Sequence, residues 1–167
     1  MPTGASGTPS IEIIALHDLE SPVLRKVDGL WQAWRGSARM PPRERLSFRE
    51  LGGAAKHVSL ARVLDGGADY EFRIVGDAHV QALGSSPLYR RLSDVIAAAP
   101  KFGQGLKASY DLVRRSGRAW AFRSQIGWDA PDTRFVLFET CYFPLGPGEG
   151  LVDHILNAAV YAPQAPR

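Results

Sequence analysis

The chain has 167 residues, 45% of them hydrophobic and 22% charged, which fits one domain with a real core and excludes a disordered or fibrous chain. Its net charge of +3 is spread along the sequence, and the densest basic cluster, Arg43-Glu44-Arg45, is interrupted by an acid, so no nucleic-acid partner is expected. A single cysteine, Cys141, excludes an internal disulfide; with no signal-peptide pattern and no apolar run long enough to cross a bilayer, a soluble cytoplasmic protein without a membrane partner is expected.

Residues 1–20 read as a flexible arm, Gly-, Pro-, Ser- and Thr-rich up to Ser10, with Ile11 to Leu16 either a short strand or the lead into the first helix. Ser21-Pro22 opens that helix as an N-cap followed by proline at the first position. Val23, Leu24, Val27, Leu30, Trp31 and Trp34 then share one stripe that needs a partner. Gly36 and Met40-Pro41-Pro42 end it, and Ser47 caps a short turn of helix before Gly52-Gly53, completing a helical segment over 21–53.

Over 54–161 the pattern is mixed. His57 to Leu64 is rich in β-branched residues, Asp65-Gly66-Gly67-Ala68-Asp69 is a turn, and Tyr70 to Val75 alternates, so the two runs predict an antiparallel hairpin. Gly76 breaks the second strand. Asp77 is a candidate N-cap for a helix carrying Ala78, Val80, Ala82 and Leu83, and Gly84 stops it, so the chain turns at an elbow that lays a helix beside a sheet and leaves a hollow between them. Ser93-Asp94 caps a further helix limited by Pro100. Lys101 to Ser116 makes a longer one with Phe102, Leu106, Tyr110 and Val113 on one face, closed by Gly117. Three strand-length runs follow, Arg118–Trp128, Arg134–Phe143 and Leu151–Tyr161, separated by Asp129-Ala130-Pro131-Asp132 and by Pro144 to Gly150. An α+β domain with a five-stranded antiparallel sheet and a tail over 162–167 is the result.

The order hairpin, elbow, helical middle and three closing strands resembles a PAS domain. More narrowly, Leu30-Trp31-x-x-Trp34, Met40-Pro41-Pro42-Arg43, His57-Val58-x-Leu60, Phe72-Arg73-Ile74-Val75-Gly76 and Tyr142-Phe143-Pro144-Leu145 are similar to the proteobacterial PAS-like family whose members often stand alone, over Ser21 to Tyr161. The resemblance implies strand order 2-1-5-4-3, middle helices on one face and the amphipathic N-terminal helix outside the core. It does not imply one ligand. Flavin-adduct relatives carry an Asn-Cys-Arg-Phe-like motif in the middle helices, whereas Cys141 lies in a late strand; haem-binding relatives use a His on the long middle helix, and Lys101 to Ser116 has none. Neither cofactor is expected.

The resemblance also directs His79, three places after the elbow, into the hollow, with Leu83 one turn further on. Arg73 and Val75 share a strand face that it turns the same way. If Arg73 points inward, its charge calls for an anionic ligand or an internal acid; the alternative is pairing at the surface with the neighbours of Glu71 or with Glu139. Tyr110, Trp120, Phe122, Phe138 and Tyr142 either line the cavity or fill it. Val27, Trp31 and Trp34 either form a homodimer seam or pack on the sheet of their own chain. His17, His57, His79 and His154 have no metal-site spacing, Ser85-Ser86 lacks a hydrolase elbow, and Gly103-Gln104-Gly105 does not follow a strand, so nothing assembles a catalytic set.

Two classes remain: a stand-alone sensor that binds a small molecule and signals to another protein, and a ligand-free dimerisation module. A minor third is an enzyme on an α+β cone scaffold resembling ketosteroid isomerases, which needs a cavity acid from Asp153 or Glu139. Since only Ala162 to Arg167 follow the last run, any output is expected to pass through another polypeptide.

Overall fold

A twisted antiparallel sheet runs through the centre of the protein, with helices against both faces. The computed structural model describes residues 11–124, 135–148 and 150–163. The sheet order is β1 (Ile11–Ile14), β4 (Trp120–Ser124), β5 (Phe135–Leu145), β6 (His154–Pro163), β2 (Val58–Leu64), β3 (Asp69–Val75). This is not the expected five-stranded 2-1-5-4-3 sheet: Ile11–Ile14 is a sixth strand, paired with Ala121 to Ser124 of β4, and it takes the edge that β4 was expected to hold. With β1 set aside, the remaining neighbours run β3-β2-β6-β5-β4. The expected turn at Asp129–Asp132 and the segment up to Ser10 lie outside the described residues.

Helix α1 (Pro22–Arg35) forms where its signals stand. Ser21 Oγ accepts the Leu24 N–H at 3.4 Å, Pro22 occupies the first turn, and Gly36 closes the helix at φ +55°. Its stripe of Leu24, Val27, Trp31 and Trp34 is buried against the sheet face formed by Val58, Leu60, Cys141, Phe143, Leu156 and Ala158. Trp31 lies 5.5 Å from the Phe143 ring, and its indole N–H donates to the Pro144 carbonyl at 3.0 Å. Trp34 donates to Glu50 on α2 (Phe48–Leu51), the short helix capped by Ser47. The arm expected to be flexible up to Glu20 is therefore structured from Ile11. It is fixed by β1 and by Glu139 of β5, which is fully buried and accepts the N–H groups of Glu20 at 3.0 and 3.1 Å and of Ser21 at 2.9 Å.

On the opposite face sit α3 (Asp77–Leu83), α4 (Leu92–Ala98) and α5 (Pro100–Ser116). Gly76, not Asp77, is the N-cap of α3. Glycine is required there because a Cβ would collide with the backbone carbonyls of Ala55 and Lys56, and the Gly76 N–H donates to Val58 at 2.8 Å. Tyr70 of β3 ties the sheet to α5: its hydroxyl donates to Asp111 at 2.6 Å and accepts from Arg114 at 3.2 Å, and Lys107 holds the same carboxylate. Burial and the Asp111 contact push the Tyr70 pKa up to about 12.

Candidate functional site

The two sheet faces differ in chemistry. The face toward α1 is apolar apart from Glu139, whereas the face toward α3–α5 carries a polar cross-strand row, Ser59 opposite Asn157 and Asn157 opposite Tyr142, beside the pair Thr140 and Ala159. Alternation of side chains along each strand separates the two sets. Asn157 uses both amide hydrogens, to Thr140 Oγ1 at 2.8 Å and to the Cys141 carbonyl at 3.0 Å, and Thr140 donates to Ala158 at 3.1 Å. The Asn157 oxygen meets the Ser59 hydroxyl at 3.5 Å, the limit of a hydrogen bond, so this carbonyl keeps acceptor capacity toward the interior.

Above this floor lies a cavity of about 40 Å³. Its roof is apolar, made by Leu83, Pro87, Val95, Phe102 and Leu106, and Phe72 and Val75 of β3 line it from the sheet. That volume holds on the order of two or three waters and no larger molecule as the helices stand. Tyr110 lies beside Ser59, and Tyr142 beside Ser109 and Thr140; burial raises the pKa of both, Tyr142 to about 12, so both phenols are neutral at neutral pH.

His79 forms the end wall. Its Nε2 lies 2.8 Å from the His57 carbonyl oxygen, which can only accept, so Nε2 carries the hydrogen and Nδ1 accepts from the Tyr161 hydroxyl at 2.7 Å. The two rings meet edge to face at 5.6 Å. Burial drives the His79 pKa down to about 4. Behind Tyr161, on the outside, is a cleft of about 230 Å³ bordered by Lys56, His57, Asp77 and Gln81.

Of the residues expected to bind a ligand, His79, Leu83, Tyr110 and Tyr142 reach the cavity. Arg73 does not. The pairing of β2 with β3 slips between Leu60 and Ala61, which leaves Arg73 as an extra residue in a β-bulge; it points to solvent, bonded to Glu71 at 3.0 Å and stacked over Tyr89. Val75 thus faces inward while Arg73, two positions earlier, faces out. The reason to expect an anion falls with it, since no lysine or arginine lines the cavity among the described residues. Trp120 lies off the cavity, half-buried, donating to Ser116 at 2.9 Å, and Phe138 sits at another register slip, 37% exposed. Phe122 is buried against Tyr142.

Val27, Trp31 and Trp34 are buried within their own chain, so these side chains do not form an exposed dimer seam. Neither proposed cavity acid points to the cavity. Glu139 faces the α1 side; although burial opposes its charge, the N–H groups of Glu20 and Ser21 and the Arg123 guanidinium hold its carboxyl below the usual range, and Asp153 is at the surface beside His154. Ser59, Thr140, Asn157 and Tyr161 were not among the expected site residues. Their only signal was that Ser59, Thr140 and Asn157 are small polar residues inside strand runs made mostly of apolar ones.

Among the described residues no group of histidine, cysteine or acidic side chains could hold a metal ion, and no helix is long and apolar enough to cross a membrane. Compared with known proteins, the chain matches no family model, no curated protein and no solved structure.

Proposed function

We propose that this protein is a PAS-like sensor or regulatory domain that takes a small neutral molecule into the space between the polar sheet face and α3–α5 and signals through contacts with another protein. The observation that carries this reading is the Asn157 carbonyl, which keeps acceptor capacity at the floor of an internal cavity whose roof is apolar. A sheet face that only had to pack would gain by being apolar throughout, because each buried polar group must be matched by a partner. The expected ligand is uncharged, with a hydroxyl or amide N–H to donate to Asn157 and an apolar body for Leu83, Phe102 and Leu106. Binding requires the space above Asn157 to widen, and that rearrangement is the signal. The PAS-like assignment rests on the residue motifs and on the elbow that places α3 over the sheet.

The small cavity volume favours a second reading, a ligand-free interaction module filled by its own side chains. Native mass spectrometry of the purified protein, with thermal-shift measurements against a panel of neutral hydroxylated and amide-bearing metabolites, separates the two. A retained molecule, or a stabilisation lost in Asn157→Leu, supports the sensor. A bare mass and a flat panel support the interaction module.

A further inference from the structure

Tyr161 is the partition between two spaces. It lines both the cavity over the polar floor and the cleft beside Lys56, His57, Asp77 and Gln81. Each space is too small for an ordinary ligand site, but joined they approach the lower end of the roughly 300–1,000 Å³ typical of such sites. The Tyr161 side chain stands on the last strand, partly exposed, with its hydroxyl bonded to His79 and its ring edge-on to the imidazole, so a rotation about its side-chain bonds opens one space into the other.

From these facts we infer that Tyr161 is a gate occupying the site it guards, and that the molecule it excludes carries a neutral phenol which replaces the tyrosine hydroxyl on His79 Nδ1. This inference rests on the binding function proposed above and names the ligand class for it. The recognition chemistry follows from the tautomer. With Nε2–H committed to the His57 carbonyl, Nδ1 offers one lone pair in the plane of the ring, so it selects an O–H donor. A flat ring fits the space vacated by a flat ring. The low His79 pKa keeps this acceptor unprotonated at neutral pH. Because the gate competes with the ligand, apparent affinity is reduced by the fraction of molecules in which Tyr161 is closed. Displacement also alters the environment of His79, which joins α3 to the segment leading into β2, so occupancy reaches the roof helix directly.

The test uses 4-methylphenol, the tyrosine side chain itself, and toluene, the same shape without the hydroxyl, titrated into the full chain by heteronuclear NMR and calorimetry. Tyr161→Ala is expected to bind 4-methylphenol at least ten-fold more tightly than the unaltered protein does, and to bind toluene at least ten-fold more weakly than 4-methylphenol. Tyr161→Phe keeps the ring and removes the hydroxyl that bonds His79, so it covers the case in which the alanine variant does not fold; it is expected to raise 4-methylphenol affinity at least three-fold. Equal affinity in the variants and the unaltered protein, or equal affinity for the two probes, overturns the gate. Uptake of another neutral metabolite that Tyr161→Ala leaves unchanged also overturns it, while the binding function itself stands.

Discussion

The Glu139 carboxylate accepts the Ser21 N–H at 2.9 Å, a contact that joins the middle of β5 to the residue capping α1. A carboxylate is suited to this place because the first turn of a helix carries unpaired N–H groups and partial positive charge. Glu139→Gln removes the charge from these bonds and is expected to cost about 2–3 kcal/mol in urea unfolding followed by tryptophan fluorescence. Since the folded pKa of Glu139 lies below its ordinary value, the stabilisation is present above the unfolded pKa and is lost as pH falls through the folded one; in the Gln variant this part of the acid transition disappears.

The His79 ring predicts a second acid effect, setting in at higher pH. Its folded pKa near 4 lies below the unfolded value near 6.5, so between these values the unfolded chain binds a proton that the folded chain does not. Stability should fall as pH drops from 6.5, by roughly 3 kcal/mol at pH 4. The lowered pKa of His57 acts in the same direction. Unfolding midpoints of His79→Leu measured between pH 7 and pH 4.5 are expected to be flatter than those of the unaltered protein.

Helix α1 is part of the core, and its substitution should show this. Trp31→Ala removes a ring packed on Phe143 and the indole bond to Pro144, and is expected to cost about 3–5 kcal/mol. Trp34→Glu should likewise lower the melting temperature, with no change in mass by light scattering at micromolar concentration; a halved mass with unchanged melting would instead restore the dimer seam.

At the elbow, Gly76→Ala sets a methyl group against the Ala55 and Lys56 carbonyls, which belong to backbone and cannot swing aside. A loss of about 1–3 kcal/mol is expected in thermal or urea unfolding. Gly105→Ala, where the added methyl meets open space, is the control and should be neutral or slightly stabilising.

The sequence by itself determined the elements whose causes are local. Ser21-Pro22, Ser47 and the glycines at 36, 76, 84 and 117 mark helix ends, because capping and left-handed or crowded backbone depend on a few adjacent residues. The hairpin was legible for the same reason, whereas His79 at the hollow was an expectation of the family resemblance and not of local spacing. Tertiary structure alone decided which way Arg73 faces, because a one-residue slip against β2 reverses the alternation that a single strand displays. It also decided that Ile11–Ile14 completes the sheet, that Trp31 and Trp34 are interior, and that Ser59, Asn157 and Thr140 meet. These are outcomes of pairing between segments far apart in the chain, and no local pattern encodes which strand lies beside which.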